Sequence, residues 1–328
     1  MSFTHLPKVE LHLHHEAAAP PRFIRDLAAE KRIDISGIFD DDGNYVFRDF
    51  DHFLTVYDTA CLPLQTPEDF YRLTLAALEE VAKDGVIYCE TFVSPDFCGK
   101  GDLSAWREYL AAMQEASSEA ENAFGITHKT IVTCLRHLGP DQAKVTALCA
   151  AETKGDYLVG FGMAGAEMMG RPGDFAYAFD MAREAGLHLT CHAGEWGGPD
   201  MVADTIRDLN VSRIGHGINA AKDPKLVQQI AEQGIVLEVC PGSNVVLKAV
   251  DGWASHPIKD LRDAGVKVTV STDDPPFFHS TMTAEYKMLN KTFDWDETDF
   301  KALNDTAIEA AFCDEDTRAA IKKRLDNA

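Results

Sequence analysis

The sequence predicts a (β/α)8 (TIM) barrel, in which eight parallel strands alternate with surrounding helices. Short runs of β-branched and other apolar residues recur along the chain, and segments with helical periodicity lie between them. This pattern is typical of βα units around a parallel sheet. The 328 residues are enough for one large barrel. We therefore expect a single domain that comprises residues 1–328.

Eight segments are predicted to be strands because each is short, apolar and bounded by polar or Gly-containing turns. In chain order they are Val9–Leu13, Val86–Phe92, Lys129–Leu135, Tyr157–Phe161, Leu187–Cys191, Arg213–Ile214, Ile235–Cys240 and Val266–Val270. Eight is the number of strands that closes a barrel of this kind.

Helices are predicted between these strands, where apolar residues recur every three or four positions. Several segments begin at Pro or an acidic residue and end at Gly, residues that are favoured at those positions. The predicted helices are Glu68–Lys83, Leu103–Asn122, Phe175–Glu184, Met201–Asp208, Pro224–Gln233 and Ile258–Asp263. Two extra C-terminal helices are expected beyond Glu297.

The connection between the first two predicted strands is much longer than the others. Residues 20–66 make up most of it, and Ile33–Leu64 is rich in Asp, Gly, Phe and Tyr. Because this segment follows the first strand, we expect it to cover the carboxyl end of the barrel as a lid. The alternative is a surface excursion with a small hydrophobic cluster of its own.

The composition favours a small-molecule substrate. Lys and Arg number 31 against 53 Asp and Glu, a formal net charge of −22 that argues against nucleic acids and anionic membranes as partners. The N-terminus has neither the basic nor the apolar region of a signal peptide. The eight cysteines contain no CxxC pair and most lie in apolar stretches. They predict buried thiols in a reducing compartment, so we expect a cytoplasmic protein.

Four residues suited to binding a metal lie at the ends of three predicted strands. The first strand ends in His12-Leu-His14, and a period of two places both imidazoles on the same face. His192 follows the fifth strand and Asp273 follows the eighth. Zn²⁺ accepts imidazole nitrogen and carboxylate oxygen. We therefore expect one zinc ion per chain on these four residues, with an open position for water.

A second metal ion is not expected. The fourth strand ends in the sequence VGFGMAG, which contains no Lys that could be modified to a bridging ligand. The zinc-deaminase signature H-x-E followed by P-C-x-x-C is also excluded, because the chain has no CxxC pair.

Three further polar residues are predicted at the same end of the barrel. Glu195 follows His192 across an Ala-Gly turn that can direct its carboxyl inward, and we assign it as the proton donor to the substrate. His216 could take or hold the proton of the attacking water, or it could be a fifth ligand or a core histidine. Neighbouring strand residues point opposite ways, so Asp273 binds the metal and Asp274 orients substrate or water.

The order of these motifs resembles that of the adenosine and adenine deaminases of the amidohydrolase superfamily. Five segments carry the resemblance, which extends from Leu6 to about Tyr286: LPKVELHLHHE, CHAGEWGGP, RIGHG, CPGSNV and STDDPPFF. The resemblance implies zinc-dependent hydrolytic deamination at C6 of an aminopurine. It implies these roles: zinc on His12, His14, His192 and Asp273, His216 beside the attacking hydroxide, His14 beside the substrate, Glu195 protonating N1, Asp274 at N7, the backbone of Gly165 at N3, and Glu16 near a ribose 5′ hydroxyl.

The expected substrate is the nucleoside, adenosine or 2′-deoxyadenosine, which would yield inosine or 2′-deoxyinosine and ammonia. The segment STMTAEY after DDPPFFHS is more similar to the adenosine branch of the family. Two departures bear on the ribose end: the family usually has Leu or Ile, an acid and Gly where this chain has His15-Glu16-Ala17, and Ala166 stands where Asp is commoner. The alternatives are a deaminase of adenine or of a modified adenine nucleoside and, more remotely, a mononuclear-metal hydrolase of a cyclic amide or ester.

Overall fold

Eight parallel strands, each paired with the next in sequence, form a nearly closed barrel, so the predicted (β/α)8 fold is confirmed. The computed structural model describes residues 3–327. A parallel bridge between Leu13 and Asp273 joins the first strand to the residues that follow the last. The strands are β1 (Lys8–His14), β2 (Val86–Val93), β3 (Thr127–Leu135), β4 (Leu158–Ala164), β5 (His188–Ala193), β6 (Arg213–His216), β7 (Val236–Val239) and β8 (Lys267–Val270).

The helices surround the barrel and close its ends. Within the described residues they are α1 (Pro21–Lys31), α2 (Phe50–Cys61), α3 (Pro67–Lys83), α4 (Leu103–Phe124), α5 (Gly139–Thr153), α6 (Ala176–Glu184), α7 (Pro199–Leu209), α8 (Pro224–Gln233), α9 (Pro241–Val246), α10 (Ile258–Asp263), α11 (Pro275–Phe278), α12 (Met282–Phe293), α13 (Glu297–Ala310) and α14 (Glu315–Asp326). The six predicted helices and the two C-terminal helices are all present. Helix α5 was not predicted because its buried positions are mostly Ala, which makes its apolar face weak.

Strands β1, β2, β4, β5 and β6 extend past the ends that the sequence predicts. Strands β5 and β6 each continue for two residues past the predicted ends, so His192 and His216 belong to the strands themselves. Strand β8 ends at Val270, and Asp273 has a φ of 68°, outside the extended region. The alternation argument for Asp273 and Asp274 therefore does not apply, because these residues follow the strand.

The C-terminal helices close the amino-terminal end of the barrel. Val9 and Leu11 of β1 pack in one apolar cluster with Ile308 of α13 and Ile321 of α14. Val9 N donates to Asn304 Oδ1, and the Phe312 amide donates to Glu90 Oε1. The opposite, carboxyl end of the barrel is therefore the end that is open to a ligand.

The long connection after β1 lies across that open end. Phe53 of α2 packs against Phe277 and Phe278 of α11, with ring centroids 5.7 and 5.3 Å apart. Tyr45 stacks on Phe277 at 3.9 Å. These residues belong to the main hydrophobic core and do not form a separate cluster. Helix α2 is therefore held against the barrel by aromatic contacts.

Two further observations concern the cysteines and the apolar character of the helices. All eight cysteines are buried and free. Over residues 3–327 we find no helix that combines the length and the apolar character needed to cross a membrane.

Candidate active site

Three histidines and an aspartate converge at the carboxyl end of the barrel. His12 and His14 lie on β1, His192 lies on β5, and Asp273 follows β8; one ligand atom from each lies within 4.8 Å of the others. His14 Nε2 is 3.2 Å from both His192 Nε2 and Asp273 Oδ1. His12 Nε2 is 3.4 Å from Asp273 Oδ1. The four residues predicted from the sequence therefore face one point.

The separations between these atoms fit a single metal ion. The edge of a tetrahedron with metal–ligand bonds of about 2.0–2.2 Å is about 3.3–3.6 Å long. His12 Nε2 and Asp273 Oδ1 are buried and make no hydrogen bond to any residue from 3 to 327, as expected of atoms that bind a metal. Burial lowers the pKa of His192 well below its ordinary value, so the ring is neutral, the form that coordinates a cation. The residues present thus fit a metal.

Two side chains, Glu238 and Ser243, form hydrogen bonds with metal-binding residues and so orient them. His12 Nδ1 is 2.8 Å from Glu238 Oε2, which leaves Nε2 free to bind the ion. Glu238 also accepts from Arg213 and Thr190, and all three residues are buried. Ser243 Oγ donates to Asp273 Oδ2 at 2.6 Å. Neither Glu238 nor Ser243 is predicted from the sequence, where the available signal for Glu238 is a charged residue inside the apolar run of β7.

Glu195 lies beside the metal-binding residues in a setting that favours its protonated form. Gly194 adopts a φ of 78°, which turns the chain after β5 and brings the carboxyl into the pocket. Burial raises the pKa of Glu195 well above its ordinary range, and the carboxylates of Asp273 and Glu167 raise it further. The Trp196 ring next to it packs on Phe50 of α2, with centroids 5.0 Å apart. This enclosure suits a proton donor.

His216 and Asp274 complete the polar side of the pocket. Burial lowers the pKa of His216 to about 3, so its ring is neutral. His216 could share a metal with Cys240 and Asp273, but burial raises the pKa of the Cys240 thiol well above its ordinary value, and a metal binds the thiolate. Asp274 Oδ1 is buried without a hydrogen bond although the residue lines the pocket. It is therefore available to a ligand.

One narrow pocket, a cavity of about 80 Å³, brings the predicted residues together. Its lining includes His14, Glu16, Gly165, His192, Glu195, His216, Asp273 and Asp274. His12 is fully buried in contact with the rings of His14 and His192. Helix α2 contributes Phe50, Phe53 and Tyr57 to the wall. The pocket therefore has a polar floor and an aromatic side.

Gly165 and Glu16 are fixed by their surroundings. Gly165 has a φ of 90°, and a Cβ at this position would lie 2.7 Å from His137 Nδ1, so only glycine fits. The Glu16 carboxylate accepts from Ser94 N at 3.0 Å and from the Tyr57 hydroxyl at 3.2 Å. Burial raises the pKa of Glu16, whereas these two hydrogen bonds act in the opposite direction.

Comparison with known proteins identifies the family. A sequence profile of the adenosine deaminase family, described as "Adenosine deaminase", matches residues 7–328. The chain belongs to this family. It is 45% identical over 322 residues to a protein named adenine deaminase from Rhizobium rhizogenes, and the match covers 98% of this chain and 99% of that protein. The protein is therefore a hydrolytic deaminase that acts on a C–N bond, and the predicted resemblance is confirmed.

Two solved structures agree with this assignment. The adenine deaminase from Arthrobacter aurescens has a TM-score of 0.89 and 30% identity, with 98% of each chain covered. An amidohydrolase from Burkholderia ambifaria with bound Zn has a TM-score of 0.88 and 28% identity, with 99% of this chain and 91% of that chain covered. Deaminases of this family depend on a metal, and the His and Asp side chains of this deaminase offer a site for one.

Glu167 is a positioning residue that the sequence analysis did not identify. Its carboxylate accepts the backbone N–H of Gly194, that of Glu195 at 3.1 Å and that of Trp196 at 2.8 Å. The side chain is buried, and Asn219 Nδ2 holds the same turn by donating to the carbonyl of Glu195 at 3.0 Å. Three hydrogen bonds to one carboxylate therefore set the path of the chain through Glu195. Its place after Gly165 in the sequence GAE gave no indication of these partners.

Replacing Glu167 by Gln is expected to lower kcat by roughly 10–100-fold, because an amide of the same size presents an NH2 group to backbone donors. Metal content is expected to stay unchanged, since no metal-binding side chain is touched. Steady-state kinetics and elemental analysis check both. The control is Glu184→Gln, at an exposed position of α6. Equal kcat values for the two variants would contradict the role of Glu167.

Proposed function

We propose that this deaminase converts adenine and water to hypoxanthine and ammonia, with one zinc ion per chain on His12, His14, His192 and Asp273. The observation that carries the proposal is the hydrogen bonding of the Glu16 carboxylate. One oxygen of its carboxylate accepts from Ser94 N and the other from the Tyr57 hydroxyl. These two bonds hold the carboxylate in place, so it cannot turn toward the ribose hydroxyl of a nucleoside without losing one of them.

The rest of the pocket supports a free base over a nucleoside. Phe50, Phe53 and Tyr57 of α2 narrow the cavity. Ala17 is buried in the main hydrophobic core and is not among the residues that line the cavity. The relatives from Rhizobium rhizogenes and Arthrobacter aurescens, both named adenine deaminase, support the same reading. The proposal thus follows the alternative that the sequence analysis kept open, in place of the nucleoside.

Each residue of the pocket has a separate role in the proposed reaction. A divalent metal bound here supplies a nucleophile at neutral pH by lowering the pKa of water. Glu195, held protonated by its surroundings, donates a proton to N1, which makes C6 more electrophilic. Burial raises the pKa of Asp274 well above its ordinary value, so its otherwise unpaired Oδ1 carries a proton and donates it to N7. The backbone of Gly165 lies against N3. The water oxygen bonds to C6 and the bond from C6 to the amino nitrogen breaks, which forms the carbonyl of hypoxanthine. One proton of the water leaves with the amino group as ammonia, and the other restores the proton of Glu195.

A substrate panel tests the proposal through ammonia release from adenine, adenosine, 2′-deoxyadenosine and AMP. Adenine is expected to exceed adenosine in kcat/KM by at least about tenfold, because a sugar must displace the aromatic wall and the bound Glu16 carboxylate. AMP is expected to be the poorest substrate, since the chain has a net charge of −22. A tenfold preference for either nucleoside would restore the original prediction. If the panel releases no ammonia, hydrolysis of a lactone or cyclic amide in a separate assay would favour the remote alternative.

A further inference from the structure

A chain of hydrogen bonds connects a main-chain N–H outside the pocket to the two acid–base residues inside it. Ile258 N donates to His256 Nδ1 at 3.2 Å, and His256 Nε2 lies 3.3 Å from Asn244 Oδ1. Asn244 Nδ2 lies 3.1 Å from Glu195 Oε1 and 3.2 Å from His216 Nδ1. His256 and Asn244 are buried, and neither is among the residues that line the pocket.

The first member of this chain fixes the tautomer of His256. A backbone N–H can only donate, so His256 Nδ1 must accept. Burial lowers the pKa of His256 to about 4, and the ring is therefore neutral at physiological pH. Its one proton consequently lies on Nε2, which donates to Asn244 Oδ1. This bond in turn fixes the orientation of the Asn244 amide, with Oδ1 toward His256 and Nδ2 toward the pocket.

The amide then fixes two proton positions in the active site. Asn244 Nδ2 carries two protons and has two acceptors within reach, Glu195 Oε1 and His216 Nδ1. Because His216 Nδ1 accepts from Asn244, Nδ1 carries no proton and the ring proton lies on Nε2, which faces Glu195 Oε2 at 3.7 Å. Because Glu195 Oε1 also accepts, the acidic proton of Glu195 belongs on Oε2.

We infer that His256 is a positioning residue which, through Asn244, selects the nitrogen of His216 and the oxygen of Glu195 that carry a proton. With its proton on Nε2, His216 donates a hydrogen bond toward the reacting water and holds it, and Nε2 does not act as a base. Glu195 presents its proton from Oε2. The inference rests on the proposed function only for its kinetic measurement, because the tautomer of His216 can be observed without substrate.

Two variants can distinguish a purely structural role of His256 from the positioning role inferred above. Accepting from Ile258 N also supports the start of α10, and that bond alone would explain a buried histidine. His256→Asn keeps an acceptor at the position of Nδ1 and loses the donor to Asn244. His256→Gln has the length to place an amide donor near the position of Nε2. His256→Asn therefore tests the loss of the bond to Asn244 alone, and His256→Gln tests whether a donor near the position of Nε2 restores it.

The experiment measures kcat and KM for adenine, together with ¹⁵N NMR of the histidine rings in the zinc-loaded enzyme without substrate. His256→Asn is expected to lower kcat by roughly 10–100-fold with KM little changed, and His256→Gln is expected to recover most of the loss. In the wild-type enzyme His216 is expected to be protonated at Nε2, and in His256→Asn a mixture of tautomers is expected.

Each unfavourable result has a defined meaning. A wild-type His216 protonated at Nδ1 would overturn the inference even if both variants fail to fold. An unchanged His216 tautomer or an unchanged kcat in a folded His256→Asn variant would overturn it as well and would leave His256 a structural role only. If adenine is not turned over, the proposed function fails, while the NMR result still decides the inference, and the kinetic comparison then uses whichever substrate the panel identifies.

Discussion

Glu195→Gln is expected to lower kcat by more than the roughly 10²–10⁴-fold that general acid–base catalysis usually contributes, while the metal content stays at one ion per chain. Glutamine keeps the size of the side chain and an oxygen that can accept from Asn244 Nδ2, as Glu195 Oε1 does at 3.1 Å. It has no acidic proton for N1. Because attack at C6 needs that protonation, the loss should exceed the usual contribution of a single acid.

The measurement is kcat for adenine together with zinc per chain. Glu184→Gln is the control, since it makes the same chemical change at an exposed position of α6. If Glu195→Gln lost its metal, Glu195 would be a ligand and not an acid. If kcat were close to that of the control, Glu195 would have no part in proton transfer. Either result would change the proposed mechanism.

His192→Ala is expected to abolish metal binding and turnover together. His192 lies 3.2 Å from His14 Nε2, and its removal takes one of four donors from a site whose remaining atoms include a buried carboxylate. Asp273→Ala is expected to give the same result. A chelator should also inactivate the wild-type enzyme, and added Zn²⁺ should restore it.

The matched control for this prediction is His188→Ala. His188 begins the same strand, β5, but lies at the opposite end, where its ring stacks on Phe312. This variant should lose some stability and keep one metal ion per chain. Elemental analysis of all three variants decides the result. A His192→Ala variant with a full complement of metal and full activity would remove His192 from the site.

The barrel and the convergence of its polar residues were predictable because both depend on local patterns. Eight apolar runs with intervening amphipathic segments indicate parallel strands, and polar residues at the strand ends meet at one end of such a barrel. His12 and His14 share a face because of strand periodicity alone. Asp273 could be placed near them once the eighth strand was recognised.

The residues that orient the site were not predictable, because their partners are distant in sequence. Glu238 reaches His12 across the barrel, and Glu167 reaches the turn after β5 from the loop after β4. Asn244 lies in the motif CPGSNV, and nothing in that segment of the sequence indicates a bond to His256. Such contacts are set by tertiary packing, which a single sequence does not express.

The segment that favours a nucleoside in the sequence, STMTAEY, lies outside the pocket in the structure. Residues 280–286 belong to the start of α12 and the loop before it, and none of them lines the cavity. The residues that bear on the ribose are Glu16, Tyr57 and Ser94, which come from three separate parts of the chain. Their hydrogen bonds become visible only after folding.

The bridge between Leu13 and Asp273 also constrains the order of biosynthesis and metal loading. Two of the candidate metal-binding residues lie on β1, and another, Asp273, follows β8. An emerging chain therefore holds an incomplete set of ligands until the segment after β8 has been synthesised. Contacts between such distant residues form slowly, because a very long loop must close first. We expect the enzyme to acquire its metal after synthesis, so that newly made protein remains inactive until the barrel has closed.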